Sequence, residues 1–244
     1  MRYFLYDRKL LSDLSRCGWE ALKAFYTAVT RDQKAVPGAV VAIQTFGDFP
    51  QGFHPHLHIL VSDGCFHGNG MFSVSPTADT KALEQIFRHK LLKMLVAKGK
   101  ITQDMIMLLD KWRHTGFNVF FGPRILPRQE KSMETLARYI IRASFSQERM
   151  TYHRESGQVE YQSKDGSQAK VFDALEWIAA MCSHVPGKGE QMVRYYGYYS
   201  NVSRGRRKKA QIDEQIDKPT QRNLTQAFKT SRTAYTHMVV TAKR

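Results

Sequence analysis

Two adjacent runs constrain this chain more than any other feature. Residues 39–46 read Ala-Val-Val-Ala-Ile-Gln-Thr-Phe, a nearly unbroken apolar, β-branched stretch of the kind that makes a buried strand. Residues 54–62 read His-Pro-His-Leu-His-Ile-Leu-Val-Ser, and a loop of Gly, Asp and Pro separates the two. The pair predicts a β-hairpin. Side chains alternate along a strand, so His56 and His58 share one face while Leu57 and Ile59 point into a core.

The rest of the chain supplies helices and a second set of short strands. Apolar residues at helical spacing predict helices over 9–33, with Gly18 a candidate break, and over 83–95 and 103–112. A short strand is expected at 71–74, and Gly122, Pro123 and Pro127 mark an irregular stretch. Met133, Leu136, Ala137, Tyr139 and Ile140 form the apolar stripe of another helix that ends near Arg142. Alternating segments at 149–153 and 159–162 flank Ser156-Gly157, and a third strand follows at 169–172. Asp173 is a good N-cap for a helix over 174–182, and a last helix spans 190–201.

The fold class expected is α+β. A central antiparallel β-sheet carries the histidine strand in its middle, helices cover one face, and a tyrosine-bearing helix lies beside the histidines. Residues 1–35 form an N-terminal helical segment, 36–202 the catalytic domain, and 203–244 a basic tail. In that tail, eleven Lys and Arg face three Asp and Glu, and large apolar residues are sparse, so it is expected to add little core.

Composition narrows the function. Lys+Arg 37 against Asp+Glu 22 gives a net charge of +15, which points to a polyanionic partner, nucleic acid. At 42% hydrophobic the chain is too apolar to be disordered. Cys17, Cys65 and Cys182 form no CxxC pair, which rules out a disulfide framework and a cysteine zinc site and suits a reducing compartment. No apolar run reaches the roughly 18 residues of a membrane span, and there is no signal-peptide core. The expected location is cytoplasmic, associated with the nucleoid of a bacterial cell.

Two imidazoles about 7 Å apart along a strand can converge on one metal ion. Gln44 would face them across the hairpin, and its hard amide oxygen suits Mg²⁺ or Mn²⁺. Asp48 and His54 compete with it as third ligand. A zinc hydrolase built on His54, His56 and His58 is a separate reading. In Arg194-Tyr195-Tyr196-Gly197-Tyr198-Tyr199-Ser200-Asn201, helical spacing puts Tyr195 and Tyr199 on one face, with Tyr196 and Tyr198 elsewhere. A phenolate beside a metal-polarised phosphodiester can attack phosphorus and remain as a phosphotyrosine. Arg138 and Arg142, four apart on one helix, could line a phosphate-tracking groove with Arg194, Arg204, Arg206, Arg207, Lys208 and Lys209.

The order HPHLH, then YYGYYSN followed by RGRRKK, resembles the HUH endonuclease superfamily. More closely it resembles the two-tyrosine transposases of rolling-circle insertion sequences, distant relatives of Helitron transposases and plasmid replication initiators. IQTFGDFPQGFHPHLHILVSDGCF, LARYIIRASFSQERMTYH and VFDALEWIAAMCSHVPGKGEQMVRYYGYYSNVSRGRRKK carry the likeness, over about residues 36–209. The resemblance implies a single-stranded DNA nickase and strand transferase acting on transposon ends and target. In it, His56 and His58 hold the metal, Tyr195 is the first nucleophile and Tyr199 the second. Members of that family carry an N-terminal Cys-rich module and further C-terminal sequence that are not visible here. The alternative expectation is therefore a truncated or inactive transposase remnant that binds DNA without cutting.

Overall fold

The computed structural model describes residues 3–47, 49, 52–68, 71–75, 79–209 and 234–242. In chain order the elements are α1 (Tyr3–Tyr6), α2 (Lys9–Thr30), β1 (Val36–Gln44), β2 (His56–Phe66), β3 (Phe72–Val74), α3 (Thr80–Ala97), α4 (Gln103–Asp110), β4 (Phe117–Ile125), α5 (Glu130–Ile140), β5 (Met150–His153), β6 (Gln158–Gln162), β7 (Ala169–Asp173), α6 (Ala174–His184), β8 (Val193–Gly197), α7 (Asn201–Lys209) and β9 (Tyr235–Ala242). The fold is α+β. An antiparallel sheet runs β4-β9-β2-β1-β8, with β3 paired to β2, so the histidine strand is central as expected.

Alternation along β1 and β2 sorts the residues onto two faces. Ala39, Val41, Ile43, Leu57, Ile59 and Val61 enter the main core, where α2 and α3 meet them with Leu10, Leu14, Leu22, Phe25 and Leu91. Gly18 does not break α2. A side chain there would run into Leu57, so glycine instead lets the helix lie close on the sheet. The helices are not confined to that face. Helix α5 crosses the other one, where Met133 packs with Val40, Leu60, Ile125 and Tyr235.

Three further expectations fail, each for a local reason. Residues 117–125 form strand β4 although Gly122 and Pro123 mark the segment as irregular. The register slips between Phe121 and Arg124, and a bulge on an edge strand is where proline is tolerated. Residues 193–197 form strand β8, so no helix carries Tyr195. Gly197 turns the chain at φ 58°, and the Pro37 carbonyl with the Trp19 ring leaves no room for a side chain there. Finally, residues 235–242 of the expected tail form β9, inserted between β4 and β2, with Tyr235, Met238 and Val240 buried.

Strands β5, β6 and β7 make a second, three-stranded sheet. Helix α6 packs on it through Trp177, which contacts Tyr161 and Phe172. Asp173 caps α6 as expected, accepting from the backbone N–H groups of Leu175 and Glu176.

Candidate active site

The face of the sheet opposite α2 carries the candidate site. Register pairs Gln44 with His56, Ala42 with His58, and Leu60 with His237 of β9. Residues paired across antiparallel strands project on the same side, so His56, His58, Gln44 and His237 share this face. Gln44 thus stands where the hairpin register predicts. His237 is an addition that the sequence reading missed, because it assigned that stretch to a tail.

The imidazoles are tightly arranged. His56 Nδ1 lies 2.8 Å from the carbonyl oxygen of His54, which can only accept, so Nδ1 carries the proton and the lone pair is on Nε2. That Nε2 is 3.1 Å from Nε2 of His58. His58 Nδ1 is in turn 3.1 Å from His237 Nε2, and these two rings stack with centroids 5.4 Å apart. His56 and His58 would hold a cation through their Nε2 lone pairs, and His58 Nδ1–H would then donate to His237. Without one, a single Nε2–H must bridge them. Burial lowers the pKa of His56 to about 4, and burial with the neighbouring His56 and His237 lowers that of His58 to about 3. Burial also depresses His237. Both central rings are therefore neutral at ordinary pH, the form that ligates metals.

Gln44 supports the fit of a cation. Its Nε2 donates to the Ile140 carbonyl at 2.6 Å, which fixes the amide orientation, while its Oε1 is buried without a hydrogen-bond partner. A buried oxygen left bare on the residue that pairs with His56 is a hard donor that fits such an ion. Among the described residues no group of three His, Cys, Asp or Glu is placed to hold a metal, so the third protein donor of such an ion would be this amide. The competing ligand Asp48 lies outside the described residues. The His54 ring is 5.5 Å from that of His56, and its backbone oxygen already orients His56.

Helix α5 brings a phenol to the imidazoles. Leu136, Ala137 and Ile140 face Val40 and Ala42 across an apolar seam, and the Gln44–Ile140 hydrogen bond pins the helix end to β1. Tyr139 then stands edge-on to His58 with ring centroids 5.2 Å apart, and 6.3 Å from His237. It is 38% exposed, so one edge is open to a ligand. The Arg142 guanidinium sits 4.7 Å over the Tyr139 ring and 5.7 Å over Phe46, with its Nε buried and unpartnered. A pair of neutral imidazoles, a phenol and a guanidinium with an unpartnered Nε therefore lie together.

The Y2_Tnp family model, described as "Putative transposase", matches residues 38–208. The chain belongs to this transposase family. No curated protein and no solved structure matches it.

Within the transposase, the residues expected from sequence are spread widely. Tyr195 pairs with Val40 on β1, so it shares the histidine face but stands two strands and two residues away from His58. At about 4.8 Å per strand and 3.3 Å per residue that is about 12 Å. Tyr199 lies in the turn after β8, its hydroxyl buried near Tyr235, and burial holds its pKa well above the phenol value. Tyr196 faces the other side, stacked on Trp19 and hydrogen-bonded to Ser15 at 2.9 Å. Tyr198 stacks on Phe66. The tyrosine beside the histidines is Tyr139, which the sequence reading took for part of an apolar stripe. Its signal was available: a lone phenol, with Arg142 three residues on, in an otherwise aliphatic stripe.

The basic residues divide similarly. Arg138 is exposed and paired with Glu134 one turn earlier, whereas Arg142 is in the site. Register places Arg194 on the α2 side of the sheet. On α7, Arg204, Arg206, Lys208 and Lys209 are exposed. Arg207 lies over the Tyr198 ring at 3.7 Å and donates to the Tyr198 carbonyl and Ser203, which ties the helix to β8. No helix among the described residues is long and apolar enough to cross a membrane.

Proposed function

We propose that this transposase is a metal-dependent endonuclease and strand transferase that acts on single-stranded DNA through Tyr139. One observation carries the reading: Tyr139 is in ring contact with His58, and none of the other tyrosines stands there. His56, His58 and Gln44 would hold Mg²⁺ or Mn²⁺. Such an ion supplies charge to a bound phosphodiester, making phosphorus more electrophilic.

The chain's own residues account for the rest. Arg142, whose guanidinium lies over the Tyr139 ring, binds a non-bridging phosphate oxygen. The Tyr139 oxygen attacks phosphorus, the bond from phosphorus to the 3′ oxygen breaks, and a 5′-phosphotyrosine remains. The phenol gives up its proton to solvent, and the departing 3′ oxygen takes one up. The phosphotyrosine bond keeps the energy of the cleaved linkage, so a second 3′ hydroxyl can reverse the step and join strands, as rolling-circle transposition requires.

This reading replaces Tyr195 and Tyr199 as nucleophiles. A labelled single-stranded oligonucleotide incubated with the protein and Mn²⁺ should give a denaturation-resistant adduct, mapped by mass spectrometry to the peptide containing Tyr139. Tyr139→Phe should abolish it. An adduct that persists in Tyr139→Phe overturns the assignment. Salt-sensitive binding without any adduct in the unmodified protein favours the DNA-binding remnant.

A further inference from the structure

Four tyrosines crowd residues 195–199, and three have clear packing roles. Tyr196 serves the α2 interface, Tyr198 stacks on Phe66, and Tyr199 is buried near Tyr235. Tyr195 is different. It is 43% exposed, and it makes no hydrogen bond or ring contact among the described residues. A half-exposed phenol ring with no internal partner is free to stack on a flat ligand.

Its surroundings select the ligand. Tyr195 shares the face of the histidine pair, about 12 Å from His58 by strand spacing. Residue Val193, two positions earlier on the same strand, lines the apolar seam under α5. The Arg204 guanidinium of α7 acts on the Tyr195 phenol, lowering its pKa against the burial that raises it. Arg204 also donates to Asn201 at 3.0 Å, which holds its side chain near the start of α7. Arg206, Lys208 and Lys209 add exposed positive charge beyond it. A half-exposed ring on the histidine face, followed by the exposed cations of the next helix, is a pairing that holds a nucleotide, with the base on the ring and the phosphate on a guanidinium. About 12 Å is three to four nucleotides of a stacked strand at 3.4 Å each, and fewer of a stretched one.

We propose that Tyr195 and Arg204 form a nucleotide-stacking subsite that grips the DNA strand a few nucleotides from the phosphate held at the histidine site. It rests on the single-stranded DNA reading above, and it gives Tyr195 a positioning role in place of a nucleophilic one. The ligand is an unpaired nucleotide, because a base inside a duplex has no free face to offer.

Affinity for a single-stranded oligonucleotide, measured by fluorescence anisotropy in EDTA, tests the subsite without any cutting. Tyr195→Ala and Tyr195→Leu should each weaken Kd by about 5- to 150-fold, the range for losing one base–aromatic stack. Tyr195→Leu keeps apolar bulk on the strand, so a loss in both variants at unchanged melting temperature is not misfolding. Tyr195→Phe keeps the ring and should bind within about twofold of the unmodified protein. Arg204→Ala should lower the slope of log Kd against log salt by about 0.7, one phosphate contact. Unchanged Kd in both Ala and Leu variants overturns the subsite, as does a Tyr195→Phe variant as weak as Tyr195→Ala. Absence of an adduct in the unmodified protein would instead sink the nucleophile reading, and these affinities would remain interpretable.

Discussion

The two faces of the central sheet are built from alternate residues of the same strands, yet they follow different rules. On one face Leu57, Ile59 and Val61 meet Leu10, Leu14, Leu22 and Phe25, and all of these are buried apolar groups. On the other, His56, His58, His237 and Gln44 lie under a single helix, α5, in which only Met133 is fully buried. The first face gains stability from each methylene it removes from water. The second spends that gain on buried polar atoms, and one of them, Gln44 Oε1, has no partner. The candidate site thus lies on the face where apolar packing is given up.

Single substitutions along β2 break this comparison most sharply, since effects should alternate residue by residue. His56→Ala or His58→Ala should reduce metal-dependent adduct formation by at least about 100-fold. Even residues that only support a ligand are worth about 10–100-fold. His58→Leu should be as stable as the unmodified protein or more so, because a buried imidazole is exchanged for an apolar group. Leu57→Ala and Ile59→Ala should behave oppositely, costing about 2–5 kcal/mol in chemical denaturation. Adduct yield per folded molecule should hardly change. If the histidine variants lose stability as steeply as the leucine ones, the division between faces is wrong.

Arg142 sharpens the comparison within the functional face. With its guanidinium over Tyr139 and its Nε unpaired, Arg142→Ala should cut adduct formation by about 10²-fold with little loss of fold, the scale for removing one group that stabilises developing charge. Gln44→Leu should be milder but mixed. Loss of the hydrogen bond to Ile140 should cost about 1 kcal/mol, and Mn²⁺ affinity by titration calorimetry should fall about 10- to 100-fold. Unchanged Mn²⁺ affinity would remove Gln44 from the ligand set.

The difference between the faces also explains what the sequence could reveal. The hairpin was readable because β1 and β2 are neighbours in the chain, and their alternation fixes both the histidine face and the Gln44 register. His237 was not, because it reaches the site by a pairing between strands 179 residues apart, and the β-branched run at 235–241 signals a strand without saying which strand it joins. Pairing at that distance is decided by which edge of β2 remains open. Tyr195 and Tyr199 were misplaced because crowded tyrosines fit a period of 3.6 or of 2, and the deciding fact is the crowding at Gly197 by Trp19 and Pro37. The place of Tyr139 beside His58 was overlooked because periodicity identifies which residues face the sheet and not which of them meets His58 edge-on.

Arg138 supplies the smallest expected effect and a control for the rest. It lies on α5 four residues from Arg142, and sequence spacing alone makes the two equivalent. The structure separates them: Arg138 is exposed and forms an i,i+4 pair with Glu134 at 2.8 Å, while Arg142 lies past the helix end over two aromatic rings. An exposed pair of that kind contributes about 0.3–0.5 kcal/mol because water and salt screen it. Arg138→Ala should therefore shift the denaturation midpoint by no more than that, with adduct yield near that of the unmodified protein. If it impairs the reaction as strongly as Arg142→Ala, the DNA path runs over the outer surface of α5, and the seam between helix and sheet would not be the place where the strand is held.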